Sequence, residues 1–271
     1  MRCKTLILLA ITALAGLPLQ ARAAITLGTA GDFAVLAGQT VTNTGPTVIN
    51  GGHVGVSPGS AIVGFPPGTV LPPFTLHAGD VLALQAQSDL TTAYDQAAGL
   101  AVTQNLTGTD LGGLTLTPGV YFFSSSAQLT GILTLNAQND PDAEFVFQIG
   151  SMLTTAPGSS VVTTNGGLDP GCNVFWQVGS SATLDTTTAF EGHILALTSI
   201  TLNTGATLEG SALARNGTVT LDSNSITNCA APIPEIPEPA TITIVVIGGA
   251  LLGLRRSWRG MRSQGKRTLT V

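Results

Sequence analysis

The stretch SITLNTGATLEG, residues 199–210, decides the fold because the chain repeats it. The segment ATLDTTTAFEGHILAL, which starts at Ala182, aligns without a gap with ITLNTGATLEGSALAR, which starts at Ile200. Thr183 therefore falls on Thr201. Units that resemble LTL or VTL continue the repeat in both directions and supply four more threonines in the same position: Thr115, Thr134, Thr154 and Thr220.

The spacing of these six threonines predicts a parallel β-helix. The intervals between them are nearly equal, except that the one from Thr154 to Thr183 is longer and contains the glycine-rich loop segment TTNGGLDPGCN. A repeat of about 18 residues is too short for a helix-pair solenoid. Because leucine and threonine alternate with period two, we expect leucines inside and threonines in one outward file. A second file is expected beside it: Thr117, Asn136, Ala156, Asp185, Asn203 and Asp222.

Residues 80–98 break this pattern and predict a single α-helix. Asp80 stands near its start and Gly99 at its end, as helix boundaries require. Its apolar residues share one helical face: Leu82, Ala86, Leu90, Ala93, Tyr94 and Ala97. We expect this helix to lie along the solenoid and to cover an otherwise open apolar side.

Both chain ends have the composition of targeting segments. A basic start, an apolar run and ARA before a cleavage point are typical of a secretory signal. Near the other end, Pro237, Glu238 and Pro239 precede an apolar stretch and an arginine cluster. The predicted organisation is a signal at 1–23, a solenoid domain at 24–229, a Pro/Glu linker at 230–239, an apolar helix with arginines at 240–259 and a basic tail at 260–271.

The C-terminal segment resembles the PEP-CTERM sorting tail of Gram-negative bacteria. That resemblance implies transient anchoring in the inner membrane by the C-terminal helix, recognition by an exosortase, and release to the surface or the extracellular matrix. A plain C-terminal membrane anchor is the alternative interpretation, since apolar residues followed by arginines also stop transfer across a membrane.

The distribution of charge excludes nucleic acid as a partner. Of the ten Lys and Arg residues, only Arg215 lies between the signal and the tail, and nucleic-acid binding requires several cations. Two cysteines, Cys172 and Cys229, remain after processing; they can form a disulfide in an oxidising compartment or stay as free thiols.

The repeat, the lone helix and several longer stretches resemble the large microbial ice-binding protein family. The matching stretches include LGTAGDFAVLAG at 27–38, VTNTGPTVINGGHVGVSPG at 41–59 and CNVFWQVGSSATL at 172–184. The resemblance implies a right-handed, discontinuous parallel β-helix of triangular section, mostly β, with one α-helix alongside, and binding to ice through one flat face. The short ice-site motif of the family is matched strictly at Thr204–Thr207, as TGAT.

A threonine-rich flat face is expected to contact ice, and no cofactor or metal is expected. Threonine has a stiff β-branched side chain, so its rotamer is largely set before binding. We expect a monomer. The candidate ice-contact residues are Thr115, Thr117, Thr134, Asn136, Thr154, Thr183, Thr201, Asn203, Thr204, Thr207 and Thr220.

Other functions fit the sequence less well. His53, His77 and His193 are far apart in sequence and are expected to be turn or surface residues, so catalysis is not indicated. The segment NDPDAE at 139–144 suits a solvated turn better than a calcium loop. The alternative to ice binding is a structural or adhesive matrix module that binds exopolysaccharide or cells, although few aromatic residues are free to hold a glycan.

Overall fold

The computed structural model describes residues 25–166 and 172–229, in which the chain forms three parallel sheets and one α-helix. A short 3-10 helix, Gly28–Asp32, precedes the first strand. The predicted signal, linker, sorting helix and basic tail lie outside these residues. Within the described residues, no helix is both long and apolar enough to cross a membrane.

Each sheet runs along the whole stack of turns, and strands are numbered here in chain order. The first sheet contains, in spatial order, β7 (Leu76–Ala78), β4 (His53–Val56), β1 (Phe33–Ala37), β22 (Ala212–Ala214), β19 (His193–Ala196), β16 (Val174–Val178), β13 (Phe145–Ile149), β10 (Gly119–Phe123) and β8 (Gln104–Asn105). The second contains β11 (Ala127–Leu129), β14 (Leu153–Thr155), β17 (Ala182–Leu184), β20 (Ile200–Leu202), β23 (Val219–Asp222), β2 (Thr40–Thr44) and β5 (Ala61–Val63). The third contains β6 (Thr69–Val70), β3 (Val48–Asn50), β24 (Ser225–Thr227), β21 (Thr207–Glu209), β18 (Ala189–Glu191), β15 (Ser160–Thr164), β12 (Ile132–Asn136) and β9 (Thr115–Leu116).

The order of the strands makes the solenoid discontinuous. Strands β1 to β7 build the turns at one end, and the chain then leaves through the helix and restarts with β8 at the opposite end of the first sheet. It winds back until β22, β23 and β24 pair with β1, β2 and β3. The expected discontinuous parallel β-helix of triangular section is therefore confirmed.

The first sheet is buried on both sides over most of its length, whereas the other two are buried only on the inner side. Its strands β13 and β16 are buried at every position. Phe147 and Trp176 stack inside the solenoid with ring centroids 3.9 Å apart. Val146 and Phe175 point the other way and pack under the helix. Double burial produces continuous apolar strands, and single burial produces the alternation that the sequence shows in the other two sheets.

The helix, α1 (Val81–Gly99), covers the first sheet as predicted. Asp80 caps it, and its carboxylate accepts a hydrogen bond of 2.9 Å from the Ala83 N–H. At the other end, the Gln148 amide donates to the carbonyls of Ala97 and Leu100 at 2.8 and 2.9 Å. The prediction that Leu82 faces the sheet is wrong: it is exposed and Ala83 is buried, because the buried stripe begins one residue later.

The glycine of the Glu-Gly pair, present at Gly192 and Gly210, marks a tight corner between the third and first sheets. Gly210 has a φ of 138°, and a Cβ atom there would lie 2.2 Å from the carbonyl oxygen of Gly192 in the neighbouring turn. Only glycine tolerates both the backbone conformation and the close approach. Stacking of these two turns therefore requires glycine at this position.

A disulfide joins the inserted loop to the end of the domain. Cys172 and Cys229 are bonded, with their Cα atoms 5.4 Å apart. The bond ties the loop that precedes β16 to the segment that follows the last strand, β24.

Candidate functional site

Five threonines form a straight outward column on the second sheet. Strand pairing places them side by side in consecutive turns, in the spatial order Thr154, Thr183, Thr201, Thr220 and Thr42. Neighbouring strands are about 4.8 Å apart, so the column is about 19 Å long. We call the outer surface of the second sheet the threonine face.

Two further columns of small polar residues flank the central one. On one side the alternation places Ser181, Ser199, Thr218 and Thr40, which are partly exposed. On the other side lie Asp185, Asn203, Asp222 and Thr44, and Asp222 pairs with Thr44 in register. The threonine face is thus three side chains wide over its central turns and contains no bulky residue there.

Side chains in the outer columns are held in place by neighbouring turns. The Asn203 amide donates to Asp185 Oδ1 at 3.1 Å, and the Thr204 hydroxyl donates to the Asp222 carboxylate. The Ser199 hydroxyl accepts from the Thr218 N–H at 3.1 Å. Both carboxylates of this face therefore stand at its edge and are hydrogen-bonded along it.

The central hydroxyls, in contrast, are free to bind water. Within the described residues, the side chains of the five column threonines make no hydrogen bond to protein atoms. Each presents a methyl group and a hydroxyl on a stiff stem. Such a column can order a layer of water. It contains no charged group, whose own hydration shell would disturb that layer.

The third sheet has the same alternation but a different outer surface. Thr134 pairs with Thr115 on one side and with Val162 on the other. Thr207 lies in a separate column between Ala189 and Ser225. Threonines on this sheet are therefore interrupted by apolar and small residues, and three of the apolar residues are at least 39% exposed: Ile132, Val162 and Val48.

Two glutamates stand side by side on this third surface. Glu191 pairs in register with Glu209. Desolvation raises the pKa of Glu191, the Thr163 N–H and hydroxyl oppose this by donating hydrogen bonds of 2.8 and 2.6 Å, and the charge of Glu209 adds to the rise. A surface with adjacent carboxylates and protruding apolar side chains is neither flat nor uniform.

The first sheet offers no free surface over most of its length. Leu36, Val120, Phe175, Leu195 and Leu213 point outward from it and are buried against α1. Of the three faces, only the threonine face therefore combines flatness, exposure and a regular repeat.

The predicted single file of six threonines is wrong, because the structure divides it between two faces. Thr154, Thr183, Thr201 and Thr220 lie on the second sheet, whereas Thr115 and Thr134 lie on the third. The second predicted file divides in the same way: Asn203 borders the threonine face, Asn136 ends strand β12 of the third sheet, and Thr117 follows its strand β9.

The physical reason is that both sheets use the same alternation of inward leucine and outward threonine. The step from Thr134 to Thr154 resembles one turn in length, but it passes from the third sheet to the second. For the same reason the TGAT motif does not lie on one face, since Thr204 is at a corner and Thr207 is in β21 of the third sheet.

Sequence reasoning missed Thr42, which continues the column beyond Thr220. The signal was present as VT in TVTNTG at 40–45, which matches VT in VTLD at 219–222. It was hidden because these adjacent strands are separated by the whole length of the returning chain.

The prediction that all three histidines are turn or surface residues is wrong for His193. This residue is 3% exposed, and its Nδ1 lies 2.8 Å from the Ser211 hydroxyl. Burial lowers the pKa of His193 to about 4. His53 and His77, although distant in sequence, meet on neighbouring strands β4 and β7.

Comparison with known proteins identifies the family. The profile of the family described as Ice-binding-like matches residues 35–227. An ice-binding protein of Nostoc sp. (strain HG1) is 54% identical over 263 residues, which cover 94% of this chain and 95% of that protein. The chain belongs to the ice-binding-like family. The family and fold that the sequence resembled are thereby confirmed.

Solved structures of ice-binding proteins share this fold. The crystal structure of an ice-binding protein from an Antarctic biological consortium is 48% identical and covers 83% of this chain and 96% of its own, with a TM-score of 0.72. That of an ice-binding protein from the ascomycete Antarctomyces psychrotrophicus is 43% identical and covers 75% and 98%, with a TM-score of 0.71. Similarity therefore extends over nearly the whole described solenoid.

Proposed function

We propose that this member of the ice-binding-like family adsorbs to ice through the threonine face and thereby limits the growth or recrystallisation of ice. The observation that carries the proposal is the uninterrupted column from Thr154 to Thr42. Ice is a neutral, periodic and flat ligand made of water, and the threonine face has a matching regularity.

Rigidity of the face favours adsorption. The strands of the second sheet are hydrogen-bonded to neighbours throughout the column, and β-branched side chains have little rotamer freedom to lose. Side chains that are already ordered before binding lower the entropic cost of association. Many weak contacts through water can then add up along the column.

A non-catalytic role agrees with the family and with the burial of a histidine–serine pair. The described residues place a histidine next to a serine hydroxyl at His193 and Ser211, but these residues are 3% and 0% exposed. A substrate cannot reach a hydroxyl that is buried in this way, so this pair supports packing and not nucleophilic catalysis.

Export of the protein is part of the proposal and is supported by the sequence of its ends. The apolar signal at 1–23 and the PEP tail with its arginine cluster favour secretion, exosortase sorting and display at the cell surface or in an exopolysaccharide matrix. The protein would then contact ice outside the cell, either at the cell surface or in the surrounding medium.

The test is ice-affinity partitioning of the mature protein together with measurement of thermal hysteresis on the same sample. We expect enrichment in the ice fraction, a measurable hysteresis gap and faceted crystals. A folded protein that stays wholly in the liquid and leaves crystal shape unchanged would contradict the proposal and would favour the adhesive matrix module.

A further inference from the structure

Two histidines face each other at the end of the first sheet, on the side of the molecule where the chain enters α1. His53 begins strand β4 and His77 lies in strand β7. Their rings are nearly perpendicular, at 84°, with centroids 4.7 Å apart. The His53 Nδ1 and His77 Nε2 atoms are 3.2 Å apart.

The hydrogen bonds around this pair assign an unprotonated nitrogen to each ring at the point where the rings meet. The Asp80 carboxylate lies 2.7 Å from His77 Nδ1, so that nitrogen carries the proton of a neutral ring and Nε2 carries the lone pair. The Thr75 N–H donates to His53 Nδ1 at 3.1 Å, so that nitrogen also has a lone pair. Each of these nitrogens has one lone pair, which can be taken up by a hydrogen-bond donor or by a metal cation that both nitrogens reach.

A third donor atom completes a triangle. The Thr75 hydroxyl oxygen is 3.0 Å from His77 Nε2 and 3.4 Å from His53 Nδ1. Ligands bound to Zn²⁺ at about 2.0–2.1 Å in tetrahedral geometry are roughly 3.3 Å from each other. The three edges of the triangle fall close to that value.

We propose that His53 Nδ1 and His77 Nε2 bind one divalent transition-metal ion of the class that prefers imidazole, such as Zn²⁺. The Thr75 hydroxyl lies at a third position of the same ion. Binding replaces the hydrogen bond of 3.1 Å that the Thr75 N–H donates to His53 Nδ1 at the surface.

The two rings are set in place before an ion arrives. Phe33 packs beneath both, with centroid distances of 5.6 Å to His53 and 5.6 Å to His77. Gly55 makes room for this ring, because a Cβ atom there would lie 2.4 Å from it. The ring of Phe74 also packs edge-to-face on His53, with ring centroids 5.2 Å apart. The imidazoles therefore lose little freedom on binding.

Asp80 fixes the direction of the His77 lone pair. One of its oxygens faces His77 Nδ1 and the other caps α1 through the Ala83 N–H. A carboxylate on the far nitrogen of a histidine ligand fixes its tautomer and strengthens it as a ligand. An ion at this site would thus connect the end of the N-terminal turns with the start of the helix.

The protein supplies only part of the ligand set that a zinc ion needs. Within the described residues, no group of three or more His, Cys, Asp and Glu side chains is arranged around one point. Water must therefore fill the remaining positions, and we expect affinity weaker than that of a structural zinc site. The pair lies at the end of the first sheet and not on the threonine face, so we expect ice binding to be independent of it.

The experiment is isothermal titration of the mature protein, without a histidine tag and after EDTA treatment, with ZnCl₂. We expect saturable binding of one ion, and perturbation of the ring protons of His53 and His77 but not of His193 in NMR spectra. His77→Asn should lower the affinity more than tenfold. Asp80→Asn, which retains the helix cap, should lower it by about 10–100-fold.

The matched control is Asp142→Asn, which removes an exposed carboxylate elsewhere and should leave binding unchanged. Circular dichroism without metal shows whether each variant folds, and the NMR of the unmodified protein does not depend on any variant. Absence of saturable binding, unchanged affinity in His77→Asn, or unperturbed His53 and His77 rings at excess Zn²⁺ would each overturn the proposal and leave a shared proton between the rings.

Discussion

The second and third sheets are built from the same strand pattern, yet only the second has the regular threonine column that we propose as the ice-binding surface. Both place leucine inside and threonine or another polar residue outside. On the second sheet, identical residues stand in register over five turns, as at Thr183 and Thr201. On the third, a threonine such as Thr134 has Val162 beside it, and Glu191 stands next to Glu209. We therefore propose that periodicity between turns, and not threonine content, distinguishes the binding face from an ordinary strand surface.

The largest expected effect comes from placing a carboxylate, such as those on the third sheet, in the centre of the threonine face. Thr183→Glu puts a carboxylate in the middle of the column, where adsorption must strip its hydration shell. Removal of a charge from water is costly, so we expect thermal hysteresis to fall by more than about tenfold. Osmometry at equal protein concentration measures this. A variant that folds as judged by circular dichroism and keeps full activity would contradict the comparison.

A second prediction separates the stability of the fold from the activity of the face. His193 is neutral in the folded protein because burial lowers its pKa to about 4, whereas the unfolded chain titrates near 6.5. The unfolded state then binds more protons, so the free energy of unfolding falls as the pH drops from about 6.5 to about 4, by about 3 kcal/mol from this residue.

Urea unfolding at a series of pH values measures that loss, and His193→Gln is the control that should make the decline between pH 6.5 and 4 shallower, while His53, whose pKa burial also lowers, still contributes. Ice activity of the folded protein should not follow the same curve, because His193 is buried on the helix side of the first sheet, stacked on Phe175, and is not on the threonine face. A wild-type profile without a decline in this window would show that the buried histidine is not held neutral.

Thr42→Tyr sharpens the comparison at the end of the column. Thr42 comes from the N-terminal turns and pairs with Thr220. A bulky ring there lifts only that end of the face from a flat surface, so hysteresis should fall by about half. Nanolitre osmometry beside the wild type measures the change. An unaltered value would mean that the binding face stops at Thr220.

The smallest effect is expected from the third sheet. Glu209→Gln removes one of its two adjacent carboxylates and lies on no part of the threonine face. Hysteresis should stay within the error of the measurement. A clear gain or loss of activity would show that the third sheet also contacts ice and that the distinction between the two faces is wrong.

The sequence was sufficient for the fold class and for the helix, because both depend on local periodicity. The repeat between residues 182 and 215 predicts the last turns correctly, and Asp80 and Gly99 mark the helix. Residues that lie side by side in neighbouring turns can be aligned from the sequence alone when the turns have the same length.

Assignment of the faces could not be predicted, because the length of a turn varies. Gly119 pairs with Phe145, Phe145 with Val174, and Phe175 with His193, so the first two of these turns contain more of the chain than the third. An offset read from the regular turns therefore moves a threonine to the wrong sheet in the longer ones. The pairing of Thr220 with Thr42 also depends on the chain leaving the stack and returning, which local pattern does not encode.

The most direct test of the account compares Thr201→Tyr with Thr207→Tyr in ice-affinity partitioning. The two substitutions are chemically identical and close in sequence, but Thr201 is at the centre of the threonine face and Thr207 is exposed on the third sheet. The account predicts that Thr201→Tyr stays largely in the liquid and Thr207→Tyr partitions into ice like the wild type. Loss of partitioning in Thr207→Tyr, with Thr201→Tyr unaffected, would contradict it.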